Sequence, residues 1–587
     1  MDPNDNIAFA ILCQIETAVK PVRILLTFWF LLSSSFKFLL THALKISQLT
    51  LLVFFPVSCT ICISYAQQPT LEWVSRYPDT NAIFSATSSA LVLDDSGNVY
   101  ITGNSGATSQ SYFTTKYSSS GKQLWISNFL GTLGVGYPRA IALDKASNVY
   151  VTGVVNNGST YFDYCTVKYN SNGVQQWFQY YNGPISGDDE AEKIAVDNAG
   201  NVYVSGFSQI TGQQGYTYAT IKYSVDGRQL WTRTFPELNS AVYVHGLAVD
   251  DNCNIYVTGE FGVALTVKYD SSGNQQWFQK YFEALPGISS SNSIKLDKYD
   301  NVYVTGYTEA PFPRYRDYFT IKYSIEGLTQ WVKTYNSDTL SNRSRYEANA
   351  IEIDNSQNIY ISGFYMADQG ATRYFCTIKY ANDGALIWVN KRTDTLANEN
   401  TFMDLDASAN IYLLGEIARG SAPNHPSSTI IKLDSSGTMK WNISYINPID
   451  QLTLCAGIQI DVNNDVISSG TGFSVNHSAM FIVKYSQPVG IKFLNSNIPE
   501  KYEISQNYPN PFNPKTIIKF YIPQSGFIKI KMFDLLGREL LVPVNNKFFP
   551  GEYYINFDGT YLSSGIYFYS LFVDEKLIDT KKMVILK

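Results

Sequence analysis

Three neighbouring stretches of this 587-residue chain set arginine beside tyrosine: Arg314, Tyr315 and Arg316; Arg343, Arg345 and Tyr346; Arg373 and Tyr374. Guanidinium groups gathered in this way suit a carboxylate, sulfate or phosphate, which they grip through paired, charge-assisted hydrogen bonds. A solvated loop surface is the alternative. A second set, Lys295, Glu352, Asp404 and Gln459, falls at one recurring position where earlier copies of the same pattern carry Val92, Ala142, Ala195 and Ala248. Four polar side chains at one level could line a pocket, or could simply bridge one another. Catalytic arrangements are weak. Downstream of residue 66 the histidines are His245, His425 and His477, and none sits in an H-x-H or H-E-x-x-H pattern that would hold a metal. There is no G-x-S-x-G. The run Asp188-Asp189-Glu190 offers the paired carboxylates a glycosidase needs, but an acidic loop run more often faces solvent. The expectation is no catalytic residue, no metal and no cofactor.

The elements that position these residues repeat. Trp73, Trp125, Trp177, Trp231, Trp277, Trp331, Trp388 and Trp441 share one register in units of about fifty residues, each resembling (A/G)-I-x-L-D-x-x-x-N-V-Y-V-T-G…T-x-K-Y-x-x-x-G-x-x-x-W. A period this long, filled with short β-type runs, points to a propeller or a β-solenoid. Each unit reads as four strands. In the second they are Ala140–Leu143, Val149–Gly153, Tyr164–Tyr169 and Gln176–Tyr180, joined by turn signals at Asp144–Asn148 and Gly173. A glycine precedes the tryptophan strand at Gly121, Gly173, Gly227, Gly273, Gly327, Gly384 and Gly437, as a hairpin needing one residue at positive φ requires. A second glycine, as in Gly103 and Gly153, ends each V-Y-V-T strand and implies a bulge or close backbone approach.

The series is offset. Trp73 precedes the first complete unit, and no tryptophan follows Lys484-Tyr485. Pairing of Leu71–Tyr77 with the strand ending at Tyr485 would let the N-terminus complete the last unit and leave no open sheet edge. The expected architecture is an all-β, eight-bladed β-propeller closed by an N-terminal strand. Through D-x-x-x-N-V-Y-V-T-G and T-x-K-Y-x-x-x-G-x-x-x-W the chain resembles the bacterial seven-bladed β-propeller repeat family, although eight repeats are present. The Y-x-x-x-G-x-x-x-W part also looks like the tryptophan-docking motif of eight-bladed quinoprotein dehydrogenases. Lysines and aspartates present in every copy, such as Lys168 and Asp144, are explained by turn capping and packing on tyrosine. Function is then expected on the variable loops.

Composition limits the partners. With 43 Tyr, 34 Phe and only 16% charged residues, the chain is rich in strand formers and not disordered. A net charge of −6 argues against a general nucleic-acid binder. Residues 1–66 look like a leader: Lys45 precedes an apolar run from Leu49 to Ile63, and Ser64-Tyr65-Ala66 suits cleavage between Ala66 and Gln67. A second apolar run from Ile24 to Leu40 leaves open a start codon placed too far upstream, or a membrane anchor. Cys165, Cys253, Cys376 and Cys455 read as unpaired thiols.

Composition changes again near residue 487. The boundaries expected are a propeller over 67–486, a linker over 487–500 and a second domain over 501–587. That domain opens Asn507-Tyr-Pro-Asn-Pro-Phe-Asn-Pro514 and continues as alternating strands, the pattern of a small Ig-like β-sandwich. It closely resembles the C-terminal sorting domain of the type IX secretion system. The carriers are Asn507, Pro509 and Pro511 in the opening, the Asp534–Arg538 turn with Gly537, the strand beginning near Gly565, and the Lys-Met…Lys587 end. The resemblance implies export across the periplasm to the outer surface or beyond, with the type IX machinery as a partner. The resulting expectation is a secreted or surface-displayed propeller that binds or scaffolds, taking a carbohydrate or protein ligand on its loop face. The alternatives are an extracellular polysaccharide-cleaving or quinone-type enzyme, or a structural surface protein.

Overall fold

The computed structural model describes residues 69–586 apart from 79–84, 107–110, 131–134, 157–160, 213–214, 240, 283–286, 310–315, 337–344, 367–372, 398–400, 418–426, 448, 475–476, 488–490, 496–498, 549 and 560–561. The leader and its cleavage point, together with Arg314, Tyr315, Arg343, His425 and Lys587, lie outside the described residues.

Strands form because each repeat alternates β-branched and aromatic residues between turns that only Asp, Asn and Gly serve well. The first complete unit gives an antiparallel sheet of Ser85–Leu93, Val99–Gly106, Ser111–Tyr117 and Gln123–Phe129. Seven further four-stranded arrays follow, with innermost strands Val135–Leu143, Asp189–Val196, Val242–Val249, Ile288–Leu296, Arg345–Ile353, Phe402–Leu405 and Leu452–Ile460. Two of them are joined by a single parallel pair, Arg316 with Arg345. In the last array the outermost strand is Thr70–Tyr77, paired antiparallel with Ser478–Ser486. The innermost strands touch in a cycle, and Ser85–Leu93 meets both Val135–Leu143 and Leu452–Ile460.

Two recurring interactions hold this arrangement. The first closes each inner turn. Asp144 Oδ1 accepts the amides of Ala146 and Asn148 at 2.9 Å each, while Oδ2 accepts Asn148 Nδ2 at 2.7 Å and Tyr150 OH at 3.0 Å. Six other sheets carry Asp, Asn and Tyr joined through the same Oδ2, at Asp94, Asp197, Asp250, Asp297, Asp354 and Asp406. The second interaction joins neighbouring sheets. Trp177 Nε1 and Lys168 Nζ both donate to the carbonyl of Val225 in the next sheet, at 3.0 and 2.9 Å. The same lysine lies over the Tyr150 ring, 4.9 Å from its centroid. Gly227 completes the dock: its φ is +88°, and a Cβ there would sit 2.7 Å from the Trp177 indole. Glycine is therefore required twice over, by backbone conformation and by the ring packed on it. Trp73 docks in this way on the turn of the first complete sheet, donating to Ser119 O at 3.1 Å.

The closing sheet departs from the repeat. Asp465 stands where the other seven inner turns have asparagine, and Ile467 where they have tyrosine. Lys484 fills the gap, bonding Asp461 at 2.9 Å and Asp465 at 3.1 Å, both carboxylates being fully buried. The N-terminal strand is also clamped by Arg76, whose two terminal nitrogens each reach Asp450 at 2.8 Å.

Residues from 491 onward form two four-stranded sheets over one core that includes Ile504, Phe520, Ile530, Tyr569 and Ile585. Ile491–Asn495, within the stretch read as a linker, pairs with Gly551–Asp558, so this sheet begins before residue 501. Arg76→Ala would leave Asp450 buried and unpaired, and should lower the unfolding free energy by about 3 kcal/mol. Urea denaturation followed by tryptophan fluorescence measures the loss. Arg76→Lys should recover less than half of it, because a point charge cannot reproduce the fork.

Candidate functional site

Seven of the eight innermost strands carry a bulge, at Ser89, Arg139, Glu192, His245, Asn292, Asn349 and Ala456. The glycine ending each facing V-Y-V-T strand makes room for it: a Cβ on Gly259 would lie 2.0 Å from the Tyr243 carbonyl, and one on Gly306 1.9 Å from that of Ser290. A bulge re-aims a side chain, and here it sends three of them to the next sheet. His245 Nδ1–H donates to Ser291 O at 3.2 Å, Asn292 Nδ2 to Ala348 O at 2.8 Å, and Asn349 Nδ2 to Thr401 Oγ1 at 3.2 Å.

These innermost strands surround a cavity of about 650 Å³, to which seven of the eight sheets contribute. Its charged lining comes from Lys193, Glu260, Glu347 and Glu352, with His245 and the Tyr307 ring among them. Burial, reinforced by nearby Lys193, pushes the His245 imidazole down to about 4, so it is neutral near pH 7. With Nδ1 carrying the proton, Nε2 is left to accept a hydrogen bond. Burial also raises Glu260, against the pull of Arg316. Arg316 lies over Tyr307, its guanidinium carbon 4.0 Å from the ring centroid, and bonds Glu309 at 2.8 Å and Glu347 at 2.5 Å.

The arginine and tyrosine residues expected to form one anion site are divided by the fold. Arg316 begins a strand, and its guanidinium is neutralised by two carboxylates, so it offers no free anion site. Arg345 is exposed. Tyr346 is fully buried among Tyr318, Tyr335 and Tyr365, with Lys391 over its ring at 4.8 Å. Arg373 lies over Phe364 at 5.3 Å, and Tyr374 against Tyr365. The physical reason is strand periodicity: these runs start strands, so alternate residues turn into the core.

The second set is brought together around the inner strands and largely satisfies itself. Lys295 pairs with Glu352 at 2.9 Å, Asp404 accepts the Ile460 amide at 2.8 Å, and Gln459 accepts the Leu93 amide at 2.8 Å. Glu352 and Gln459 line the cavity. The acidic run disperses: Asp189 is buried and pushed up to about 6 by burial, while Glu190 reaches Arg139 at 3.3 Å. Lys193, Glu260, Tyr307 and Glu347 were not singled out by sequence. Their signal was faint, a single charged or aromatic residue at a repeat position that varies freely.

In the C-terminal sheets, Asn507 is buried and its Nδ2 donates to Pro509 O and Thr516 Oγ1, both at 3.0 Å. Pro511 follows Asn510, whose side chain accepts the Val584 amide at 2.8 Å and ties the opening motif to the last strand. Asp534 caps the turn to Arg538 through the Leu536 and Arg538 amides, with Gly537 at φ +74°. Gly565 begins the strand Gly565–Val573.

Comparison with known proteins agrees with this division. Residues 506–586 match the secretion system C-terminal sorting domain family, and residues 176–212 match the beta-propeller repeat family. An uncharacterized WD repeat-containing protein of Acanthamoeba polyphaga mimivirus is 24% identical over 453 residues, covering 57% of this chain and 31% of that protein. The chain thus spans about a third of that relative's length. Among solved structures, the Dos1 propeller aligns with a TM-score of 0.45 and 9% identity, covering 71% of this chain and 95% of the other. PorZ, a surface component of the type IX secretion system of Porphyromonas gingivalis, aligns with a TM-score of 0.30 and 10% identity, covering 85% and 81%. The chain carries beta-propeller repeats and a type IX sorting domain. Its tail indicates export to the cell surface or the extracellular space by that machinery.

The low basicity of His245 has a pH signature. Folded, it stays neutral down to about pH 4, whereas unfolded it protonates below its usual 6.5. The unfolded state therefore binds more protons across that window, and stability contributed here is lost as pH falls from 6.5 to 4. Relative to His245→Gln, the natural chain should lose about 2 kcal/mol over this range, allowing for solvent in the cavity, as read from urea midpoints at each pH.

Proposed function

We propose that this chain is an exported binding module. Its eight arrays are the blades of one β-propeller over residues 67–486, closed by the N-terminal strand. The cavity between the innermost strands holds a small hydrophilic ligand. Residues 1–66 form the leader, cleaved between Ala66 and Gln67. After a short linker that begins near residue 487, the residues from 491 onward form an Ig-like sandwich that delivers the ring to the outer surface and presents it there. The cycle of inner-strand contacts supports the blade count. The observation that carries the binding role is the cavity itself, whose polar lining belongs to no position shared by all the repeats and is only partly used in bonds between neighbouring sheets. Bulged residues turn amide and imidazole groups into it, and a mixture of carboxylate, amide and aromatic surface is how proteins hold small polar molecules, carbohydrates included.

A polysaccharide-cleaving reading keeps one observation in its favour, since Glu260 and Glu347 share the cavity and differ in environment, Glu347 being tied to Arg316. Release of reducing ends from a polysaccharide panel by the purified chain would support it.

Two experiments test the main reading. Removal of residues 506–586 should leave the protein inside the cell envelope, as fractionation with an antibody to the propeller would show. The mature full chain, screened against glycans and a small-metabolite panel by calorimetry, should bind a hydrophilic compound. Glu347→Gln combined with Asn349→Leu should weaken that binding by at least about tenfold. Binding unaltered by the double substitution, or no binding at all, overturns the cavity as the site.

A further inference from the structure

Among the described residues, two opposite charges in the cavity lining have no ion-pair or hydrogen-bond partner. Of the four charged groups that line it, Glu352 is paired with Lys295 and Glu347 with Arg316. Among the described residues Lys193 and Glu260 make neither an ion pair nor a side-chain hydrogen bond, and each is half-buried. Nor do they neutralise each other. The carboxylate pulling on Lys193 is that of its chain neighbour Glu192, which lies 3.9 Å from Arg139. Arg316 draws Glu260 through space but directs its hydrogen bonds to Glu309 and Glu347.

The repeat asks for neither charge. At the position of Lys193 the other seven sheets carry Ala90, Ala140, Gly246, Ser293, Ala350, Phe402 and Gly457. Glu260 follows the conserved-position glycine Gly259, and the one other acid in that slot, Glu416, is buried and accepts the Cys455 amide at 2.9 Å. Glu260 has no such bond. A half-buried charge with no partner costs stability, and a ligand that supplies the counter-charge recovers it.

We propose that the cavity takes a zwitterion, a small molecule whose ammonium group is held by Glu260 and whose carboxylate is held by Lys193. The proposal rests on the cavity being the binding site. A ligand with one charge would leave the opposite pole unpaired, and a neutral sugar would leave both. His245, neutral near pH 7 and in the same lining, adds a polar group without a third charge. A volume of about 650 Å³ suits a ligand from amino-acid to short-peptide size.

The test is calorimetry of the mature full chain with four probes: the dipeptide alanyl-alanine, its N-acetyl form, its C-terminal amide, and a neutral disaccharide. The free dipeptide should bind at least about tenfold more tightly than either blocked form. Glu260→Gln should abolish the penalty for N-acetylation and leave the penalty for amidation. Lys193→Met should do the converse, while Lys193→Arg should retain carboxylate preference and show that loss in the methionine variant is not misfolding. Equal binding of all three peptides, or preference for the disaccharide, overturns the zwitterion and leaves the cavity as the site. Binding of none of the probes, together with none of the wider panel, overturns both.

Discussion

One backbone carbonyl at each of seven seams between neighbouring sheets carries much of this structure. It accepts the indole N–H of one sheet's outer tryptophan and, in most seams, the ammonium of the same sheet's lysine. A carbonyl has two lone pairs, and here both are used. The lysine cannot be spared, since its stem crosses the tyrosine that caps the inner turn. Turn, strand and seam are thereby one connected network. Its polar atoms are largely satisfied within the repeat, so they are unavailable for chemistry.

That arrangement frees the innermost strands. They contribute little to the seams at the outer edge, and their bulges project side chains away from the sheet's own ladder. Variation there is tolerated, so one sheet can carry Lys193, another His245, another Asn292. Rigidity at the rim and variety at the axis are complementary. The carboxylates and the Lys193 ammonium of the cavity stand on strands whose ladders and outer docks do not use them.

Much of the architecture was legible in the sequence because it rests on local rules repeated many times. The tryptophan register, the two glycine series and the Asp–Asn–Tyr turn each have a short-range cause, and the offset of Trp73 predicts its pairing with Ser478–Ser486. The cavity was less legible. A bulge is defined by two strands together, so the aim of His245 or Asn292 cannot be read from either strand alone. Lys193 and Glu260 occur once each, in slots that look unremarkable without the register. Tyr346 shows the opposite error. An arginine-tyrosine run read as loop is the start of a strand, and alternation puts Arg345 in solvent and its neighbour in the core.

The closing sheet raises a question of selectivity between near-identical partners. Every third strand in the repeats presents much the same edge to an outermost strand, and a segment bearing only the shared features would meet several almost equivalent templates. The change to Asp465 and Ile467, answered by Lys484, makes one template chemically unlike the rest. The Arg76–Asp450 fork adds a contact that no other sheet reproduces in the described residues. In an assembly built from copies, these departures act as an address: they distinguish the observed pairing of Thr70–Tyr77 with Ser478–Ser486 from its look-alikes, and so favour it over misregistered or chain-to-chain joins.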